Sequence, residues 1–573
     1  MIQYVYDLLL RVDAVVCGTP WFVFILLGTG LFFTVYLRFP QIRFFRHAVD
    51  IMRGKHETEG AVGDASHFQA LATALSGTVG TGNIAGVALA IHLGGPAALF
   101  WMVVTAIIGM TTKFVEVSLS HKYRDCLSDG TVAGGPMYFM AKRLNVRLSG
   151  GRVIRTGVWM ASLFAFCTIL CSFGTGCLPQ INSISAGMAD SFGINKILTG
   201  AVLTLVMGAV IVGGIRRIVK VTGRLVPIMG LLYFAGTIVV AVCNYENLIP
   251  GFVSIFTSAF TGSAAVGGFL GASVSFAMIR GVNRGIYSNE AGQGSAPIAH
   301  AAARASEPVS EGLVSLLEPF IDTVIICMLT GTTIIASGVW KQKYQTDFQM
   351  ADTMVLSGVD YDDTTDEGRA RLRSIVDGER GASDCLFSGA MQVDSGRIVS
   401  GQTLMHSHSL AEDVRISLGG RPFTGTLAVD AGKPDCRTDG GRVVISGRSL
   451  LHSVPLTIRA FSSSCFGGYG QYIVTLSLLL FAFTTAISWS YYGDRAVAFL
   501  FGLRYVKAFK FVYLGGFFIG SFIDTSIVWV FSSIAIVFMS VPNLVGLLLL
   551  HREVRNELTS YEHNLKRRGA GGR

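Results

Sequence analysis

The sequence predicts an all-α integral membrane protein of about eleven transmembrane helices. They would form two five-helix repeats of opposite orientation plus one extra N-terminal helix, with a β-rich extracytoplasmic insertion. Three observations lead there. The 573 residues are 51% hydrophobic and only 14% charged, where a soluble chain carries about 25% charged residues. Apolar runs long enough to cross about 30 Å of hydrocarbon recur from Trp21 to Leu550. Two of those runs are crowded with glycine at corresponding places in the two halves.

The spans fall near 20–38, 68–94, 97–120, 157–178, 196–215, 224–243, 262–287, 312–338, 468–493, 509–523 and 525–550. Basic residues gather in alternate loops: Arg38 to Lys55, Lys122 to Arg155, Arg216 to Arg224, Arg284 and Arg304, Arg495 to Lys510, and the tail after Leu550. The opposite short loops 94–96, 179–195 and 244–261 hold no Lys or Arg. By the positive-inside rule the N-terminus is outside and the C-terminus cytoplasmic, as an odd number of spans requires. The formal charge of +9 is thereby explained by orientation in a cell (inner) membrane, not by nucleic acid. Met1 to Pro20 lacks the basic start, apolar block and cleavage site of a signal peptide, so the first span is expected to direct insertion. The 68 glycines suit helices that approach closely in lipid.

Span two reads LATALSGTVGTGNIAGVALAIHL (71–93), and span seven carries Gly267, Gly268 and Gly271 with more glycines further on. Glycine costs about 1 kcal/mol relative to alanine inside a helix. Clusters at membrane depth therefore predict unwound backbone, tolerated only where it lines a cavity. The plainer alternative is close packing. Spans two to six and seven to eleven make two sets of five, and an odd repeat must run in opposite directions across the membrane. The resulting divisions are 1–60, the extra helix and a cytoplasmic loop; 61–243, the first repeat; 244–339 and 466–550, the second repeat; 340–465, the insertion; and 551–573, a basic tail.

The insertion is polar, and RIVSGQTLM (397–405), EDVRISLGG (412–420), GTLAVD (425–430) and GRVVISGRS (441–449) alternate like short strands. His406, His408 and His452 lack a firm third ligand and are expected to be solvated surface. Cys167, Cys171, Cys177, Cys243 and Cys327 are expected to be packing residues. Cys385 and Cys436 form a disulfide if the module faces an oxidising compartment.

The strings SGTVGTGNIAG (76–86), GGPAALFWM (94–102), DGTVAGGPMYFM (129–140), SNEAGQGSAPIAHAAA (288–303), LEPFIDT (317–323) and FAFTTAISWSYYGDRA (481–496) together resemble the alanine/glycine:cation symporter family (sodium:alanine symporters). The resemblance covers about 60–340 and 465–550. It implies a leucine-transporter-like (LeuT-like) fold and sodium-coupled symport of a small neutral amino acid, alanine or glycine, with Na⁺ as the coupling ion and H⁺ as the alternative. The transport unit is expected to be a monomer in the lipid bilayer, with no nucleic-acid partner. Val103 stands where the family has a second tryptophan, and the insertion lies outside the resemblance.

A zwitterionic substrate at membrane depth needs donors for its carboxylate, which the amides of Thr81, Gly82 and Asn83 supply where the helix restarts. Thr78 belongs to the same break. Gln180 and Asn83 are amides at membrane depth, where such groups are costly unless paired, so they are candidates for substrate contact. The alternative is an interhelical hydrogen bond. By resemblance, a sodium ion is held by the carbonyls of Ser76 and Val79 and the hydroxyls of Thr484 and Thr485. Ala272, Ser273 and Phe276 of span seven, with Trp489 of span nine, are expected to wall the substrate pocket. Lys113 and Glu116 sit three apart and can pair on one face of span three, and Glu318 and Asp322 sit four apart on span eight. Structural pairing near the cytoplasmic end is expected of these groups, with a proton relay as the alternative. Asn289 and Glu290 are placed at the cytoplasmic end of span seven.

Other function classes leave weaker traces. A channel calls for a charged ring or an oligomeric pore, whereas here paired breaks share one polypeptide. An enzyme finds no HExxH, P-loop or nucleophile elbow with partners. A sensor would use the insertion to bind a ligand and the helices to report it.

Overall fold

A computed structural model describes residues 12, 21–56, 62–147, 153–377, 382–438, 440–523 and 526–570. Helix α1 spans Trp21–Tyr36. Helix α2 (His67–Thr78) opens on a capping box, in which the Ser66 hydroxyl accepts from the Gln69 amide and the Gln69 side chain from that of Ser66. It stops at Val79, whose ψ of 90° is extended. The chain re-enters a helix at Gly82, first as a π-turn to Gly86 and then as α3 (Val87–Gly94). The two pieces are bent by 55°, so the break predicted in span two is present.

Helices α4 (Pro96–Lys122), α5 (Thr156–Phe192), α6 (Lys196–Ile211), α7 (Gly214–Cys243) and α8 (Tyr245–Thr261) follow. Helix α9 is Val274–Asn289, α10 Ala296–His300 and α11 Pro308–Ser337. After the insertion come α12 (Ser453–Ser462), α13 (Gly470–Phe501), α14 (Val506–Gly520), α15 (Ser526–Leu549) and α16 (His551–Ala570). Among the described residues six helices are long and apolar enough to cross a membrane, seven if α2 and α3 count as one bent span. That is fewer than eleven because several predicted spans are short or bent: α1 and α6 have 16 residues each and α14 has 15.

The break of span seven is not at Gly267–Gly271. Residues 262–273 form a turn held by the bridges Ser263–Ala272 and Val266–Phe269, with Gly267 and Gly271 at positive φ. Helix α9 then runs unbroken to Asn289. It ends at Glu290 in the left-handed region, and Gly292 and Gly294 have φ of 89° and 83°. The unwound segment is therefore Glu290–Ser295, between α9 and α10. Both glycine groups depart from a helix, but only the second interrupts the span.

The insertion is β-rich. Its longest strand, β7 (Gly441–Leu450), pairs antiparallel with β1 (Lys343–Asp347) and β5 (Glu412–Leu418). Strand β2 (Thr353–Ser357) pairs with β4 (Gln402–His406), and β3 (Gly389–Asp394) with β6 (Gly425–Asp430). Met391, Leu404, Ile416, Leu427, Val443 and Ile445 alternate inward to make its core. The module rests on the 262–273 turn, where the Gly268 amide donates to the Lys341 carbonyl (2.9 Å) and Leu270 joins a small apolar cluster with Leu356, Leu372 and Met405.

The disulfide joins Cys243, at the end of α7, to Cys465, just before α13, across 222 residues, with Cα atoms 6.2 Å apart. Cys243 is thus not a packing thiol, and Cys385 and Cys436 are free. Sequence spacing could not find this pair because its partners belong to different segments of the fold. His406 is not solvated either: it is buried, its ring stacks on Phe348 at 4.3 Å, and Nδ1 is 2.7 Å from the Ser449 hydroxyl. Burial pushes the His406 and His408 imidazoles down to about 4.

Candidate functional site

The restart of span two packs on the last turn of α9, where Gly82 lies beside Tyr287 and Ser288, and α13 touches both breaks, through Thr485 at Val79 and Trp489 at Glu290. Backbone freed at Val79–Gly82 is taken up by side chains. The Gly80 amide donates to Asn83 Oδ1 (2.9 Å) and the Thr81 amide to Gln180 Oε1 (3.4 Å). Gln180, in the second half of α5, is held by its own amide nitrogen donating to the Thr175 carbonyl (3.1 Å). Thr81 is buried, and among the described residues its hydroxyl has no hydrogen-bond partner, an arrangement that costs free energy. Thr78 bonds back to carbonyls of its own helix, at 3.4 Å from Ala74 and 3.3 Å from Leu75.

The side-chain amide of Asn83 is largely spent on protein. Its nitrogen donates to Asp322 Oδ1 (2.6 Å) and lies 3.2 Å from both the Ser288 hydroxyl and the Asp322 carbonyl oxygen. Asp322 Oδ2 accepts from Ser288 and Thr323, each at 2.7 Å. This knot ties α3, α9 and α11 together beside the break. Asp322 therefore does not pair with Glu318, which takes Lys113 Nζ at 3.0 Å. Nor does Lys113 pair with Glu116, whose carboxylate receives Asn543 Nδ2 (2.5 Å). Partners across helices displaced the partners expected along one helix.

Helix α13 contributes the next wall. Thr485 Oγ1 donates to the Val79 carbonyl (3.2 Å), the last carbonyl before the break, and lies 3.0 Å from the Phe481 carbonyl. Thr484 turns away: its hydroxyl lies 3.0 Å from the Leu480 and Phe481 carbonyls and 3.4 Å from Met229 Sδ. The Ser76 hydroxyl meets that of Ser488. Of the four predicted sodium ligands, the structure brings Val79 and Thr485 into direct contact, and it does not bring the Thr484 hydroxyl to them.

Trp489 is fully buried, donates from Nε1 to Glu290 Oε1 (3.3 Å) and stands edge-on to Tyr492. It fits only because position 176 is glycine: a Cβ there would lie 2.0 Å from the Trp489 Cβ. Glu290, expected at a cytoplasmic helix end, thus borders the break, and so does Asn289. Ala272, Ser273 and Phe276 are elsewhere. Ala272 belongs to the 262–273 turn, and Ser273 caps α9 by accepting from the Phe276 amide (3.2 Å).

Sequence reasoning missed two side chains that the structure brings to the break. Asp322 lay in a recognised string but was assigned to a helix-side pair. Tyr287, whose ring lies 3.5 Å from where a Gly82 Cβ would stand, carried no signal in the chain. It lies near the far end of α9, well beyond the supposed break at Gly267–Gly271, and so gave no reason to choose it.

A family model described as the sodium:alanine symporter family matches residues 2–360 and 437–571, passing over 361–436 of the β-rich module. An uncharacterized transporter of Haemophilus influenzae is 32% identical over 561 residues, covering 98% of this chain and 97% of its own length. The sodium/alanine symporter AgcS of Methanococcus maripaludis is 33% identical over 542 residues, 95% of this chain and 94% of its own. A putative sodium/proton-dependent alanine carrier protein, YrbD of Bacillus subtilis, is 40% identical over 337 residues, 58% of this chain and 65% of its own.

Proposed function

Because this chain belongs to the sodium:alanine symporter family, we propose that it carries a small neutral amino acid, alanine or glycine, into the cytoplasm in symport with Na⁺ by alternating access. Cation-coupled amino-acid symport follows from the family; alanine or glycine as the substrate is the proposed step. One observation carries it above the others: the broken α2–α3 helix restarts against the last turn of α9, with a buried hydroxyl (Thr81) that has no partner among the described residues at the break and a hydroxyl–carbonyl contact (Thr485–Val79) beside it. Amides at a restarting helix favour a carboxylate, and freed carbonyls with hydroxyls favour a hard cation. Tyr287, 3.5 Å from where a Gly82 Cβ would stand, narrows the space beside Gly82, which supports a hydrogen or methyl side chain on the substrate. The cation stabilises the arrangement that binds substrate, so each ligand raises affinity for the other.

The same reading takes the core as a LeuT-like five-plus-five repeat with α1 as the extra helix, N-terminus outside and C-terminus cytoplasmic in a cell (inner) membrane. The Cys243–Cys465 disulfide supports that orientation. Both cysteines lie at span ends that the charge pattern puts outside, where oxidation is permitted. The test is reconstitution into liposomes with labelled alanine and glycine, with and without an inward sodium gradient. Uptake indifferent to both sodium and pH gradients overturns the symport mechanism. Uptake abolished by removing 361–436 from an otherwise folded chain turns the argument towards a sensor.

A further inference from the structure

Helix α9 carries arginines that the transport chemistry above does not use. Arg280, Arg284 and Tyr287 recur at spacings of four and three, so they share one face. Arginine in a membrane helix is costly unless it meets a partner or a wet cavity. That face borders a cavity of about 160 Å³ between α9, α1, α3 and α15, lined also by Phe22, Leu93, Gln293 and Ile536. One water needs roughly 10–15 Å³ on this measure, so the cavity has room for a small molecule. Arg280 stacks over Phe276 at 4.7 Å and Arg284 stands 6.0 Å from the Tyr287 ring centre. Among the described residues neither guanidinium has a carboxylate within ion-pair distance; the one carboxylate acting on Arg280, Asp377 of the β-rich module, does so from further away. Deeper in, Gln293 of the unwound segment is 1% exposed. Its amide nitrogen donates to the Ile286 carbonyl (3.1 Å), while its Oε1 accepts nothing.

The cavity thus pairs two cationic donor groups lacking an acceptor with one buried acceptor lacking a donor. We propose that it is a second binding site for an α-amino acid zwitterion, with the carboxylate on Arg280 and Arg284 and the ammonium on Gln293 Oε1. Bidentate guanidinium–carboxylate pairing is among the stronger polar contacts proteins make, and the Gln293 amide oxygen gives the ammonium a buried acceptor. Tyr287 lines this cavity and also stands against Gly82, so one side chain separates the second site from the break. An occupant there waits next to the central site. The proposal rests on the reading that the substrate is an amino acid.

The test is equilibrium binding of labelled alanine and of labelled glycine to the full chain in sodium, read as molecules bound per chain at saturation. Two per chain are expected for wild type, and one for the double variant Arg280→Gln/Arg284→Gln, with the remaining site keeping its affinity. Gln293→Leu should also bind one. One molecule per chain in the wild type overturns the second site without any variant. Two per chain in wild type and in every folded variant overturn the assignment to these residues. A phospholipid retained by the purified wild type and lost from the double variant, with amino-acid stoichiometry unchanged, shows that a lipid headgroup fills the cavity and overturns the proposal. Failure to bind either amino acid at any site is a different result: it sinks the functional reading itself.

Discussion

Two adjacent threonines on α13 should differ sharply in what they do for sodium. Successive residues of an α-helix point about 100° apart, so only one of Thr484 and Thr485 can face α2. The structure chooses Thr485, 3.2 Å from the Val79 carbonyl, while Thr484 lies against Met229 Sδ at 3.4 Å. An oxygen contact to a charged group is worth about 1.5–3 kcal/mol, which is roughly 10- to 150-fold in affinity. Thr485→Ala should therefore raise the sodium concentration for half-maximal uptake by about that factor. Thr484→Ala loses mainly bonds to its own helix and should change it by less than about threefold, the scale of a neutral hydrogen bond. Thr485→Ser keeps the hydroxyl and should restore most of the loss. The assay is initial-rate uptake of labelled alanine into proteoliposomes across a sodium titration, with thermal unfolding of each variant in parallel. A Thr485→Ala protein that unfolds like wild type and needs no more sodium refutes the cation-site assignment.

Gly176→Ala should abolish uptake and destabilise by more than about 3 kcal/mol, since its Cβ would sit 2.0 Å from that of Trp489 and overpacking a tight core costs about 1–3 kcal/mol in milder cases. Gly208→Ala, whose nearest neighbour would be at 3.5 Å, is the control, and thermal unfolding checks both. Asp322→Ala leaves the buried Asn83 and Ser288 donors without their carboxylate and should cost about 1–3 kcal/mol for each donor left unpaired; loss of less than about 1 kcal/mol in denaturant unfolding contradicts the knot. Replacing Cys243 and Cys465 by serine should lower stability by about 2–5 kcal/mol, with thiol labelling of the native pair appearing only after reduction. The β-rich module should weaken in acid. His406 falls from 6.5 to about 4 because burial disfavours its charged form, against the opposite pull of Asp352. The unfolded chain therefore binds its proton first: stability is full above pH 6.5 and declines towards pH 4, by about 3 kcal/mol for this ring. Limited proteolysis of the module across that range reads it, and equal cleavage at pH 7 and pH 4.5 contradicts it.

Much of this protein is local and therefore legible in the chain. Alternating residues in the insertion gave β4, β5, β6 and β7 nearly at their observed positions, because a strand's two faces are written two residues apart. The glycines of 77–86 announced the break in α2–α3, because the cost of glycine in a helix is a property of the residue itself. The glycines of span seven misled for a related reason. Composition says that backbone departs from a helix, but not whether it does so as a turn at the surface or as a gap inside the fold. At 267–271 the need was a tight turn under the β-rich module, and at 290–295 it was the break.

What a residue touches across helices was written nowhere in its neighbourhood. Membrane class, family resemblance and the strings that carry the chemistry are legible in the chain, since hydropathy, charge and motif are properties of contiguous residues. Packing between helices fixes the rest: Asp322 serves Asn83, Thr485 and not Thr484 meets Val79, Cys243 finds Cys465, and Arg280 and Arg284 face a cavity. Each is a contact between segments far apart in sequence. Such a pairing is fixed by how helices rotate and stack on one another, and no single stretch of chain contains that rotation.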